Sequence, residues 1–368
     1  MRRVLFTILA ILFIMFVIIT SCNKDDLATG KSNVVMVTAR SGDFTIHLAG
    51  SGTVSIDWGD GTALETCSLL EYAEGEWVQD GAWTSIWGSY TKITSQRHAI
   101  IHNYSNKESR IISITGENIT HLFCRYNLIS SLDVSRNTAM TYLDCSCNIL
   151  LTSLDVSDNS ALAFLSCGDN SIKNLDVSNN SALTFLYCGN NSIKNLDVSR
   201  NMELRKLLCN NNLLTSLETD KNILLDGLNC DANQLSSIDL NNNITLASLN
   251  CSNNPLTSLD ISKNIALEDL YCARAGLTSL DVSNNTALSS LVCYGGGLTS
   301  LDVSNNTALT YLMCSDNQLS SAALNTLFET LPEKEGGRII IGDNPGTNSC
   351  DQYIAINKGW IVNAQNQL

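Results

Sequence analysis

The sequence predicts a mainly β solenoid, and three observations carry that prediction. Ten cysteines, Cys124, Cys145, Cys167, Cys188, Cys209, Cys230, Cys251, Cys272, Cys293 and Cys314, run through the second half of the chain. Eight of their nine intervals are 21 residues, and the interval from Cys145 to Cys167 is 22. Leu stands two residues before each cysteine, from Leu122 to Leu312, and Leu or Ile five residues after, from Ile129 to Leu319. A fixed period of this length marks stacked coils. One 21-residue coil cannot bury its own apolar side chains, so stacking must bury them against the coils above and below. With rungs ~4.8 Å apart, ten coils make a rod roughly 45 Å long.

One copy reads Leu183-x-x-Leu186-x-Cys188-x-x-Asn191-x-Ile193-x-x-Leu196-Asp197-Val198-Ser199-x-Asn201. Two asparagine ladders run through the repeat. The ladder closing Asp-Val-Ser-x-Asn runs unbroken from Asn137 to Asn306. The ladder three residues after each cysteine fails at Ala275 and Gly296. An inward asparagine is expected to satisfy backbone groups of its turn, because buried peptide groups need partners. The two failures, within Ala273-Arg274-Ala275-Gly276 and Gly295-Gly296-Gly297, predict locally irregular turns. In-register stacking also puts the cysteine sulfurs in single file inside the core. Cysteine is a small apolar residue that suits packing there. The chain has no Cys-x-x-Cys pair, so neither a metal nor a redox role is expected.

The repeat resembles the leucine-rich repeat, in particular its nested 21-residue class, called IRREKO. Leu186-Tyr187-Cys188-Gly189-Asn190-Asn191 matches one half of that unit, and Leu196-Asp197-Val198-Ser199-Arg200-Asn201 the other. The resemblance covers about residues 116–319 and implies about nine to ten coils. It also implies that the strand centred on each cysteine forms one exposed ribbon, the binding face of such proteins.

Residues 33 to about 115 lack the period. Val34-Val35-Met36-Val37, Phe44 to Leu48 and Val54 to Trp58 alternate with period two and carry β-branched residues, which predicts strands. Gly59-Asp60-Gly61 signals a tight turn. Ile56-Asp57-Trp58-Gly59-Asp60-Gly61-Thr62 resembles the Trp-Gly-Asp-Gly turn of PKD-like β-sandwich domains. In that family a His-x-Tyr precedes the last strand, and here His102-Asn103-Tyr104 precedes Arg110 to Ile114. An insert from about Leu70 to Arg97 departs from the pattern. It holds Trp77, Trp83 and Trp87, which either fold back on the sandwich or form a contact loop.

After Cys314 the register decays. Ser320 to Leu331 has helical spacing, with Leu324, Leu327, Phe328 and Leu331 on one face, and Pro332 stops it. A strand at Arg338 to Ile341, a turn at Asp343 to Gly346 and a short helix before Trp360 complete an α/β cap over the last apolar rung.

The amino terminus reads as an address. Arg2-Arg3 precedes an apolar run from Val4 to Ile19, which at 16 residues is short for a membrane-spanning helix. Ile19-Thr20-Ser21-Cys22 resembles a bacterial lipobox, which implies acylation of Cys22. Asn23-Lys24-Asp25-Asp26 resembles a surface-export signal of some Gram-negative anaerobes. The expected organisation is a signal peptide (1–21), a lipidated tether (22–32), a PKD-like sandwich (33–115), the repeat solenoid (116–319) and the cap (320–368). The expected location is the bacterial outer membrane, with the chain lipid-anchored and facing outward.

The formal charge is −14, from 36 acidic and 22 basic residues. Nucleic acid is an unsuitable partner for such a surface, because binding it depends on Lys and Arg contacts to phosphate. No catalytic motif and no phosphate-binding loop is present, so neither an enzyme nor a cofactor is expected. An acidic column from Asp133 to Asp302 needs hydrogen bonds from neighbouring hydroxyls, or bound cations, to offset its repulsion. The candidate ligand residues are the outward aromatics of the ribbon: Tyr142, Phe164, Phe185, Tyr187, Tyr271, Tyr294 and Tyr311. The tryptophans of the insert are a competing site. Aromatics among short polar groups suit a protein or glycan. Tyr142, Phe164 and Phe185 are expected to form an accessible strip that contributes little to stability. The reading is a surface-anchored binding or adhesion protein; a structural spacer or coat protein without a specific ligand is the alternative.

Overall fold

A computed structural model describes residues 32–71 and 99–365. Cys22, Trp77, Trp83 and Trp87, with the whole expected signal and tether, lie outside the described residues. Among the described residues no helix is long and apolar enough to cross a membrane.

Each ladder leucine and cysteine turns inward, as period two requires of a strand whose alternate residues face water. Leu143, Leu165, Leu186, Leu207 and their successors are buried, and so are all ten ladder cysteines. The rungs are three to five residues long: β7 (Ile119–Phe123), β9 (Tyr142–Asp144), β10 (Phe164–Ser166), β11 (Phe185–Tyr187), β12 (Lys206–Leu208), β13 (Gly227–Asn229), β14 (Ser248–Asn250), β15 (Asp269–Tyr271), β16 (Ser290–Val292) and β17 (Tyr311–Met313). All pair in parallel with leucine beside leucine. The cap adds helix α1 (Ser321–Thr330), β18 (Gly337–Ile340), helix α2 (Tyr353–Ile356) and β19 (Trp360–Asn363). Because β18 and β19 continue the parallel ladder, the described residues hold twelve rungs where the repeat count implied nine to ten.

The 22-residue interval has a local consequence. Its inward residue is Leu151, fully buried, and Leu150 stands out 46% exposed. The extra residue is therefore accommodated in the turn, and the register of the rungs survives. The two turns lacking asparagine also differ less from the rest than expected. Arg274 and Gly295 keep the positive φ found two residues after the ladder cysteine in other coils, and only Gly276 adds another, at φ 74°.

The amino-terminal strands are not set apart by a linker. Antiparallel strands β1 (Ser32–Thr38), β2 (Gly42–Gly50), β3 (Thr53–Asp57), β4 (Glu65–Ser68), β5 (Ala99–Tyr104) and β6 (Arg110–Gly116) form two sheets. One has the order β4-β3-β6-β1-β8, where β8 (Ile129–Asp133) belongs to the first repeat coil; the other runs from β5 and β2 through β7 into the rungs. Both sheets therefore pass from the sandwich into the solenoid, and one apolar core runs from Val34 to Trp360. The sandwich hides the first rung, as the cap hides the last. Its two expected motifs meet in space. The Tyr104 hydroxyl donates to the carbonyl of Trp58 at 2.8 Å, His102 stacks on Trp58 at 4.7 Å, and its Nε2 lies 2.7 Å from Asp60.

Both asparagine ladders tie one coil to the next. Asn148 donates to the carbonyls of Cys124 and Cys145, and its Oδ1 accepts from the N–H groups of Asn127 and Ile129. In the second ladder Asn222 donates to the carbonyls of Val198 and Asn201, but its buried Oδ1 has no partner among the described residues. Asn243 is different: its Oδ1 accepts from the Thr219 hydroxyl at 2.9 Å, where other coils carry an aliphatic residue. A lone buried acceptor costs free energy that one hydroxyl recovers. Thr219→Val is expected to lower stability by about 1 kcal/mol. Val198→Thr supplies the same bond to Asn222 and is expected to stay within about 1 kcal/mol of the parent. Thermal melts of both variants check this; a melt unchanged by Thr219→Val would refute it.

Candidate functional site

The outward face of the rung sheet presents positions three before, one before and one after each ladder cysteine. It divides into three stretches. At the amino-terminal end the rings form a closed file. Tyr142 stacks on Phe164 with centroids 4.0 Å apart and planes 5° apart, and Phe164 on Phe185 at 4.3 Å and 2°. His121 covers the near end, 5.6 Å from Tyr142, and burial pushes its imidazole down to about 4, so the ring is neutral. At the far end Lys206, paired with Phe185 across the rungs, reaches Asp226 at 2.7 Å. Its chain crosses Gly227, where a Cβ would lie 2.7 Å from Cδ of the lysine.

This arrangement departs from the accessible strip expected of Tyr142, Phe164 and Phe185. In-register stacking puts like rings face to face, so the faces a sugar would stack on are already covered by the neighbouring ring. Phe185 is buried outright. Tyr187 is buried too. Its ring lies over Gly168 and Gly189, where added Cβ atoms would come within 1.9 and 2.7 Å of it, and its hydroxyl donates to Asp169 at 2.7 Å. These residues hold the ribbon together.

The middle stretch is polar and small, with Gly227, Asn229, Ser248 and Asn250. The carboxyl-terminal stretch is apolar and outward. Ala273, Val292, Met313 and Ile340 form a cluster separate from the main core, with half-buried Tyr271, Tyr294 and Tyr311 packed around it. Arg274 lies over the Tyr294 ring at 5.4 Å, and the Tyr311 hydroxyl points at the Met313 sulfur, 3.9 Å away. The three tyrosines were foreseen. Val292, Met313 and Ile340 were not, although the position before the ladder cysteine does switch from Asn229 and Asn250 to Tyr271, Val292 and Met313.

The ladder thiols carry no chemistry of the ribbon. Burial pushes Cys188, Cys251 and Cys314 up to about 12, and the others in the same direction. A thiol so protonated is neither a nucleophile nor a ready metal ligand. The acidic column lies away from these thiols. Asp155, Asp176, Asp197, Asp260 and Asp281 each accept from the N–H of the serine two residues on, at 2.9–3.0 Å. These N–H groups and the hydroxyls of the same serines together hold the carboxyls below the usual range. No group of three or more metal-ligating side chains occurs among the described residues.

The fold is a leucine-rich-repeat solenoid. The functional domain of InlJ from Listeria monocytogenes, which includes a cysteine ladder, is similar at 30% identity and a TM-score of 0.60, over 70% of this chain. This chain spans 56% of that domain's length. The internalin InlF from the same species is similar at 21% identity with a TM-score of 0.49, over 61% of this chain and 74% of its own. No protein-family model and no curated protein matches the sequence.

Two outcomes follow from this geometry. Tyr142→Ala with Phe185→Ala removes two members of a four-ring file and is expected to lower the thermal midpoint clearly, since a buried Phe→Ala alone costs about 3–5 kcal/mol. An unchanged midpoint in calorimetry would show the rings to be free. For the acids, the folded pKa lies below the unfolded value of about 3.9, so their contribution is present above that pH and is lost as pH falls through the folded values. The melting midpoint is expected to hold from pH 7 to about 5 and to drop below about 4, and Ser178→Ala with Ser199→Ala should flatten part of that drop.

Proposed function

We propose that this chain is a lipid-anchored surface protein that recognises a protein partner through the carboxyl-terminal stretch of its ribbon. The observation that carries the reading is the second apolar cluster. Apolar side chains here gather on the solvent side of a sheet whose inner face is already filled, and tyrosines and arginines rim them. That composition, with Tyr, Met and Arg at an apolar centre, is typical of protein interfaces. A glycan has less to use, because the closed file leaves it no free ring faces. A stacked solenoid offers the long regular surface that such binding uses, and no reactive constellation competes with it among the described residues.

In this reading Cys22 carries the lipid, the sandwich is a PKD-like domain next to the membrane, and the rod projects outward from the outer membrane. Two arms test it. Cys22→Ser is expected to move the protein from the membrane fraction to the soluble one; continued fractionation with membranes would remove the anchor. In a protein array, residues 23–368 are expected to give reproducible hits that Tyr271→Ala with Tyr311→Ala weakens at least about tenfold, as loss of aromatic anchors does. Hits that persist in this variant but vanish with Trp83→Ala and Trp87→Ala would move recognition to the insert. A chain that captures nothing would favour the spacer.

A further inference from the structure

The outward cluster is self-complementary. On β15 to β18 the column three before the cysteine position reads Asp269, Ser290, Tyr311, Arg338, and the column one before it reads Tyr271, Val292, Met313, Ile340. The column one after reads Ala273, Tyr294, Ser315, Gly342, in the register of the inter-coil hydrogen bonds, with Arg274 and Asp343 beyond it at the first and last rung. Consider a two-fold axis parallel to the strands, midway between β16 and β17. It sets β15 against β18 of a second copy and β16 against its β17.

Each position then meets a suitable counterpart. Asp269 faces Arg338 of the second copy, and Arg274 faces its Asp343, so both outer corners pair opposite charges. Tyr311 faces Ser290, and Tyr294 faces Ser315, so each large ring meets a small polar residue. Val292 faces Met313, and Tyr271 faces Ile340. Ala273 faces Gly342, which leaves room for the rings beside them. The alternative axis, along the rod, would set Asp269 against Ala273 and waste both charges. Asp269 is half-buried, and burial and the neighbouring Glu268 both raise its carboxyl. Arg338 and Arg274 are exposed.

We propose that the occupant of this patch is a second copy of the chain, bound with the two rods antiparallel. The inference rests on the protein-binding reading above and names its partner. Sheets packed face to face keep their strands nearly aligned, which this axis does. The patch is four rungs long, roughly 14 Å, so the contact is a transient, concentration-dependent pair and not an obligate dimer. Antiparallel pairing sends the two amino-terminal sandwiches to opposite ends. With the anchor at that end, copies that meet in this way stand on two facing surfaces, so the pair holds cell to cell.

Charge exchange tests this directly. Residues 23–368 contain every described residue, and sedimentation equilibrium on that chain from about 5 to 500 µM is expected to show a monomer converting to a dimer. Arg338→Glu and Asp269→Lys should each weaken the pair about tenfold or more, since each sets like charges face to face. The double variant restores opposite charges at the same corners and should recover most of the affinity. Thermal melts confirm that each variant is folded, and if Asp269→Lys is not, Asp343→Arg against Arg274→Glu tests the other corner in the same way. A monomer at every concentration overturns the inference, as does a dimer indifferent to the reversals or one that the double variant fails to restore. If the monomeric chain still captures a different protein through Tyr271 and Tyr311 in the array, self-pairing falls and the protein-binding reading stands. If neither occurs, both fall.

Discussion

The stacking of one coil on the next is the constraint from which the rest of this structure follows. The inward leucine and cysteine of a coil leave water only when another coil covers them, and the asparagines of the second ladder donate to carbonyls of the coil before. Burial and hydrogen bonding therefore impose the same register, and a coil displaced by one residue would lose both. This is why the 22-residue interval pushes Leu150 outward and leaves the rungs alone. The turn absorbs the extra residue at the cost of one exposed side chain, whereas a shifted rung would misalign every later coil.

A stack has two ends, and each must be closed by something that is not a coil. Here the solution differs at the two ends. The carboxyl end packs helix α1 over the last repeat coil, burying Leu324, Leu327 and Phe328, and extends the ladder through β18 and β19. The amino end is closed by a sandwich whose sheets are the solenoid's own two faces prolonged. β1 pairs with β8 and β2 with β7, so the chain changes from antiparallel to parallel pairing without a break in the core. A tether attached before β1 would thus pull on a continuous sheet and not on a hinge.

The outward face is under weaker constraint, since any side chain that tolerates water can stand there. The chain uses that freedom in three ways along one ribbon. Identical rings in register satisfy one another, as Tyr142, Phe164 and Phe185 do. Small polar residues leave the middle featureless. Only in the last coils do apolar side chains of unlike shape gather, and unlike shapes cannot close on themselves as a file of rings does. The recognition proposed for this ribbon therefore falls to the stretch that stacking leaves incomplete.

Much of this was legible in the residues. The period, the inward leucines and the capping asparagines are local rules repeated at fixed spacing, so the solenoid and its cap could be read before any coordinate was known. The acidic column was legible for the same reason, because an aspartate two residues before a serine makes its hydrogen bond within its own turn. What tertiary structure decided was exposure on the ribbon. Tyr187 and Tyr271 occupy the same position in their coils, yet Tyr187 is buried, with its ring over Gly168 of the preceding rung and Gly189 of its own, and Tyr271 is half-buried. Likewise the joining of the sandwich to the first coil depends on pairings between strands some ninety residues apart. Period and composition describe one coil at a time; the fate of an outward side chain is set by what the coils on either side place against it, and that contact exists only once they are stacked.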